Sequence, residues 1–262
     1  MNSETVLQPV DQLIHFDPVQ YLRQYYGSND MSRGLKIILC FLPNIAARLP
    51  KVERFLDIGS GPTIFMAVGF RNKADHIYLS DFAEQNRREL LNWLNQNEST
   101  STPFDWSAIC KAIAKLECVD SDNWRRLESE AKEKVREVLY CDVHQTQVLA
   151  RDVTAGKFDI VSAVFCLEYA SSNSQEYRRA MNNVCRLIKP GGWLILGGAF
   201  EESHYTLGKI RFKCHYLTES ELFKSLSDSG VMVEDRSFAY YCHDDAFVVV
   251  GKMGERELLR KN

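Results

Sequence analysis

The feature that most constrains this chain is a series of short, mostly apolar runs. "RFLDI" (54–58), "HIYLSD" (76–81), "VLYCDV" (138–143), "FDIVSAVFC" (158–166) and "WLILGGAF" (193–200) are rich in β-branched and aromatic residues. Strands of that composition are buried on both faces, as in a parallel sheet. Helical spacing separates them, notably over 84–95 and 176–188. The expected fold class is therefore α/β, with parallel strands and helices on both faces. After the fifth run, "VMVEDRSFAYY" (231–241) and "DAFVVVGK" (245–252) flank a polar turn and read as an antiparallel hairpin closing the sheet edge.

Two segments have no strand partner. Residues 11–26 carry Leu13, Ile14, Phe16, Tyr21, Leu22, Tyr25 and Tyr26 at helical spacing, broken by Pro18 into two pieces, and Ser32 caps a helix that reaches Arg48 before Pro50. Between the second and third runs lies an insertion, 97–137, with a helix from Asp105 to Leu116 and a charged one over 121–138 whose i,i+4 pairs include Glu130–Lys134. Residues 1–50 and the insertion are assigned to a helical cap over the ligand end of a single domain spanning 1–262.

A net charge of -3 gives no basic footprint for nucleic acid. No apolar run approaches the roughly 20 residues of a membrane helix, and the first residues lack the charged start and apolar core of a secretion signal. The eight cysteines form no C-x-x-C pair and read as reduced core thiols. His144, His204, His215 and His243 are not spaced as a metal site. A cytoplasmic monomer acting on a small molecule, without a metal, is the expectation.

In "RFLDIGSGPTIF" (54–65) a strand ends at Asp57-Ile58 and turns through Gly59-Ser60-Gly61 into a helix, the βα geometry of a nucleotide-type cofactor site. A dinucleotide fingerprint needs a third glycine where this chain has Ile64, and Pro62 removes an amide donor from the first turn. Both departures disfavour a pyrophosphate, hence NAD, and favour a cofactor with an adenosine alone. Asp81, about 20 residues on, suits the two ribose hydroxyls, and Asp142 at the end of the third strand suits an adenine amino group. "KPGG" (189–192) is read as a helix stop and turn before the fifth strand.

"FLDIGSGPT", "SDFAEQNRRELLNWL", "FDWS", "CDVHQTQVL", "VFCLEYA", "LIKPGGWLIL" and "GGAFEESHY" occur in that order. Together they resemble the S-adenosylmethionine-dependent small-molecule methyltransferases of the phenylethanolamine, nicotinamide and indolethylamine N-methyltransferase family, over about residues 13 to 250. The resemblance implies a Rossmann-like seven-stranded methyltransferase sheet with its last strand antiparallel. It implies S-adenosyl-L-methionine as cofactor and S-adenosyl-L-homocysteine as product. Cofactor positions fall on Tyr21, Tyr26, Gly59, Gly61, Thr63, Phe65, Asp81, Phe82, Asn86, Asp142, Val143 and Val164. Gly59 and Gly61 admit the methionine part, Asp81 takes the ribose, Phe82 and Val143 flank adenine, and the tyrosines fold down from the cap. Phe65 stands where the relatives have a tyrosine, keeping the ring without its hydroxyl.

An amine acceptor arrives protonated and needs carboxylates to attract it and relay its proton. The resemblance to the phenylethanolamine branch gives Glu168 and Glu202 as catalytic candidates, and Tyr25, Phe165, Tyr205, Asp244 and Asp245 as substrate contacts. The nicotinamide branch has an aspartate at the position of Gly198 and a serine at that of Glu202. The expected activity is thus N-methylation of a phenylethanolamine-like or other biogenic amine. The alternatives are a nicotinamide or related pyridine N-methyltransferase, and an S-adenosylmethionine-binding protein without activity.

Overall fold

A computed structural model describes residues 6–27, 31–95, 104–150 and 157–255. The chain begins with a two-residue strand, β1 (Val6–Leu7), and two short helices, α1 (Gln12–His15) and α2 (Pro18–Tyr26). Pro18 occupies the first turn of α2, where a missing N–H costs nothing, and the Asp17 carboxylate caps that helix by accepting from Gln20 N at 3.0 Å. Ser32 caps α3 (Arg33–Arg48) in the same way, through Leu35 N.

Two strand–helix units follow, β2 (Val52–Ile58) with α4 (Phe65–Phe70) and β3 (Ala74–Asp81) with α5 (Glu84–Leu94). Helices α6 (Ser107–Leu116) and α7 (Trp124–Lys134) lead into β4 (Val135–Tyr140). After β5 (Phe158–Val164) come one turn of helix, α8 (Leu167–Ala170), then α9 (Ser174–Cys185) and β6 (Ile188–Ala199). The chain finishes with β7 (His204–Leu207), β8 (Ile210–Lys213), α10 (Glu219–Asp228), β9 (Ala239–His243) and β10 (Ala246–Lys252).

Seven strands form one sheet in the order β4-β3-β2-β5-β6-β10-β9. The first five are parallel, and β10 runs antiparallel to both β6 and β9. From β2 the chain steps outward to β3 and β4 on one side, then crosses back to β5 on the other, so the carboxyl ends of β2 and β5 flank the point where the winding reverses. Ligands of open α/β sheets bind at that point.

The central strands are apolar throughout because both faces are covered. Phe55 faces a core built with Leu35, Ile38, Leu42, Phe70, Ile109 and Leu127, while Leu56 and Ile58 face Tyr177, Met181, Leu222 and Leu226. Each such Leu, Ile or Phe contributes about 2 kcal/mol by leaving water. The helices α6 and α7 belong to the first of these layers. They cover the sheet, and Trp106 at the start of α6 is where they meet the N-terminal segment, its ring 6.1 Å from that of Tyr26. Helix α3 likewise lies in this layer along most of its length.

Several boundaries differ from the sequence reading. The charged helix stops at Lys134, and residues 135–138 are already strand, because Val135 and Val138 pair with Ile77 and Leu79 of β3. Strand β4 ends at Tyr140, so Asp142 and Val143 stand beyond it in a turn. Strand β9 starts only at Ala239; the polar stretch before it forms turns, and Val231 makes an isolated bridge to Met253. "KPGG" lies inside β6, at an irregularity in its pairing with β5. Glu130 pairs with Arg71 and Arg126.

A second, three-stranded sheet, β1-β8-β7, was not expected. Val6 and Leu7 pair in parallel with Arg211 and Phe212, so the start of the chain is tied to a hairpin about 200 residues away. Helix α2 holds the same hairpin, since Tyr25 Oη and Gln24 Nε2 both donate to Thr206 O and Gly208 N donates to Gln24 Oε1. Among the described residues no helix is long and apolar enough to cross a membrane.

Arg71, after α4, joins this layer together. Its guanidinium is 2% exposed, pairs with both Glu117 oxygens at 2.9 and 2.6 Å, and reaches Glu130 at 3.0 Å. Arg71→Met should cost about 3 kcal/mol in denaturant unfolding, because it removes the cation between two carboxylates and leaves Glu130 only Arg126 on the surface. Arg71→Lys should recover less than half of that, lacking the planar fork.

Candidate active site

A cavity of about 720 Å³ opens at the carboxyl ends of β2 and β5. Its floor is the turn after β2. Gly59 and Gly61 have φ of +63° and +60°, a region open chiefly to glycine, and a Cβ on Gly59 would stand 2.2 Å from Cys166 Sγ. Ser60 ties the turn to β3, its N–H donating to Ser80 O and its hydroxyl accepting from Ser80 N. Thr63 Oγ1 closes the turn by donating to Ser60 O at 2.7 Å.

Asp81, at the end of β3, holds the turn from the other side. One carboxylate oxygen accepts from Gly61 N at 2.8 Å; the other accepts from Ala83 N at 2.9 Å and Asn86 Nδ2 at 3.0 Å. Burial raises its pKa above the usual value against the pull of these donors. A carboxylate offers about four acceptor positions, so one remains for a ligand hydroxyl. The Oδ1 atom of Asn86, a residue 4% exposed, has no partner among the described residues.

The remaining cofactor positions given by the sequence also line this cavity: Tyr21, Tyr26, Thr63, Phe65, Phe82, Asp142, Val143 and Val164. Asp142 is oriented by His144 N at 2.9 Å and Gln145 Nε2 at 3.3 Å. The rings of Phe16, Tyr21 and Tyr26 follow one another at 5.0 and 5.6 Å between centroids, and Tyr26 reaches Phe65 at 6.1 Å.

Among the acceptor candidates, Tyr25, Phe165, Glu202, Tyr205 and Asp245 line the cavity. Glu168 and Asp244 do not. The Glu168 side chain, 2% exposed, turns away from the cavity beneath β6, where one carboxyl oxygen accepts from Ala199 N at 3.0 Å and fills the place of a Gly198 Cβ. Burial pushes its pKa up to about 8, so this carboxyl is mostly protonated at neutral pH. Asp244 sits in the β9–β10 turn at φ +52° and points outward to an ion pair with Arg33.

Among the wall residues that lay outside the sequence assignment, Asp57, Cys166 and Tyr169 bear most on the chemistry. Asp57 is buried, receives the Ser162 hydroxyl at 2.5 Å because β5 places those residues side by side, and is pushed up to about 7 by burial. Its place at the strand end, one residue from the glycine turn, was a usable signal. Cys166 was read as a core thiol, and burial keeps it protonated. Tyr169 follows Glu168 directly in "CLEYA", and its phenol donates to Glu202 Oε2 at 2.7 Å. Nothing in the sequence marks that contact.

A sequence model described as the NNMT/PNMT/TEMT family matches residues 4–253. The chain belongs to that family. It is 34% identical over 247 residues to a nicotinamide N-methyltransferase of Caenorhabditis elegans, covering 90% of this chain and 89% of that one. It is 32% identical over 231 residues to the human phenylethanolamine N-methyltransferase, covering 84% and 79%. The fold is also that of a magnesium protoporphyrin IX methyltransferase from Synechocystis solved with bound SAM, with a TM-score of 0.55 at 14% identity, covering 93% of this chain and 94% of that one. The family uses S-adenosylmethionine.

The residues present fit that cofactor. Two glycines open the floor where side chains would intrude, Asn86 Oδ1 is an acceptor with no partner among the described residues, and Asp57, which lines the cavity, would meet an ammonium group. Asp81 would take the ribose, and Asp142 with Phe82 and Val143 the adenine.

Gly59→Ala should weaken S-adenosylhomocysteine binding in calorimetry by on the order of a hundredfold, from the left-handed φ and the overlap with Cys166; adding Cys166→Ala should restore part of it. Glu168 supplies a pH test. Because its folded pKa is raised from 4.5 to about 8, the folded state holds a proton the unfolded chain releases, so its contribution to stability falls as pH rises across that window. Thermal melts of Glu168→Gln should lose that part of the decline.

Proposed function

We propose that this chain transfers the methyl group of S-adenosylmethionine to the nitrogen of a small-molecule amine. The observation that carries this reading is Glu202, a carboxylate that lines the same cavity as the cofactor residues and is held by the Tyr169 hydroxyl among aromatic rings. Phe165, Tyr169 and Tyr205 stand around it, with ring centroids 6.4 and 5.2 Å from Tyr169, and Tyr25 reaches in from α2. Rings and a carboxylate together suit an ammonium better than a neutral molecule.

S-adenosylmethionine supplies a methyl already activated on a sulfonium. The protein therefore has to bring an amine lone pair behind the S–CH3 bond and keep water out. Glu202 attracts the ammonium and takes one of its protons, directly or through a water, which frees the lone pair; the N–C bond then forms as the C–S bond breaks, leaving a methylated ammonium and S-adenosylhomocysteine. Asp245, at the rim and exposed, adds charge for attraction, and α1 and α2 close the roof.

A nicotinamide-type acceptor is disfavoured by the same geometry. This chain has no side chain at position 198, and a Cβ there would stand 2.3 Å from Glu168 Oε1, so the aspartate of the nicotinamide branch would require Glu168 to move. A neutral pyridine also gains little from Glu202.

The test is a methyl-transfer screen over phenylethanolamines, tyramine-like amines, indolethylamines and nicotinamide. An alkylamine should be the best acceptor. Glu202→Ala should lower kcat/KM for it by about a hundredfold, while cofactor affinity stays within about twofold. Nicotinamide as best acceptor would overturn the assignment drawn from Gly198 and Glu202, and cofactor binding without transfer to any amine would identify a binding protein.

A further inference from the structure

The backbone around Glu202 is held by Leu217 O and Cys214 N, contacts that fix no rotamer of the Glu202 side chain. Glu202 lies past the end of β6, directly after Glu201, whose φ is +60°, and before β7. Ordering a free glutamate side chain costs about 1–2 kcal/mol, which an amine would have to supply on binding. Among the described residues the donor to the Glu202 carboxylate is the Tyr169 hydroxyl, at 2.7 Å.

Tyr169 is itself held on several sides. Its ring meets Tyr205 edge-on at 5.2 Å and lies 6.4 Å from Phe165, which turns the chain out of β5 at φ +51°. Its carbonyl oxygen accepts from Gln12 Nε2 of α1 at 3.0 Å, and Gln85 Nε2 in turn donates to Gln12 O at 2.8 Å. The carbonyl of the next residue, Ala170, lies 2.8 Å from His144 Nε2, and His144 N donates to Asp142. The single turn of α8 therefore links the roof, the adenine side and the acceptor carboxylate. Burial, with Glu168 and Glu202 nearby, keeps the phenol protonated and thus a donor.

We propose that Tyr169 is a positioning residue for methyl transfer: its hydroxyl holds one oxygen of Glu202 and presents the other to the ammonium of the acceptor. This rests on the amine-methyltransferase reading above. A hydrogen bond to a charged group is worth more than a neutral pair, on the order of tenfold to a hundredfold in an equilibrium. Restraint of the carboxylate should therefore appear in the acceptor's kinetics and not in the cofactor's.

The experiment is a double-mutant cycle on the best amine found. Tyr169→Phe keeps the ring and should lower kcat/KM for the amine about tenfold, with KM for S-adenosylmethionine and the melting temperature little changed. In a Glu202→Gln background the same substitution should have almost no further effect, since it acts through that carboxylate. A normal kcat/KM in Tyr169→Phe, or a full tenfold loss that adds to that of Glu202→Gln, would overturn the proposal. Crystal structures of wild type and Tyr169→Phe read it without turnover: one ordered Glu202 rotamer should become several, and an unchanged, ordered carboxylate in the variant would count against it. Failure of the wild type to methylate any amine, with that structural result intact, would instead indict the proposed reaction.

Discussion

Where β2 and β5 end side by side, the backbone of Gly59 lies against the side chain of Cys166, too close for any Cβ. The cavity depends on this approach. The glycine turn must leave β2 in a left-handed conformation to pass over β5, and that path points its amides toward β3, where Asp81 receives Gly61 N. Phe165 leaves β5 through a left-handed conformation as well, which starts α8 and aims Tyr169 at the acceptor end. Both ends of the cavity are thus fixed by how the chain departs from two neighbouring strands.

Burial of carboxyl groups around this junction is costly. Asp57, Asp81 and Glu168 are all pushed above the usual carboxylate range by the loss of water. Asp57 and Asp81 border the cavity, where a ligand's ammonium or hydroxyl groups can replace water. Glu168 sits behind β6 with an amide donor and, among the described residues, no cation, and there a proton takes the cation's place. The three acids are buried alike and differ in what they face, the cavity for Asp57 and Asp81 and a backbone amide for Glu168.

The sheet was legible because strands covered on both faces cannot be polar, so each announced itself as an apolar run. Its margins were less so. Val135 and Val138 looked like the tail of a charged helix because pairing with β3, invisible in the sequence, decides their state. The sheet β1-β8-β7 left no signal, being short strands joined across nearly the whole chain. In the candidate site, the glycines, Asp81 and Asp142 could be placed from spacing along strands. Glu168 and Asp244 could not, since a side chain's direction depends on what it meets: Gly198 makes room for the first, and Arg33 draws the second outward.

The pairing of β1 with β8 bears on the order in which the molecule is assembled. Local strand–helix units can form as the chain emerges during synthesis, but Val6 and Leu7 must wait for Arg211 and Phe212 before they have a partner. The roof is therefore completed only after the floor strands β2, β3 and β5 have been made. Until then the N-terminal segment lacks the contacts that Tyr25 and Phe16 make with that hairpin in the finished molecule.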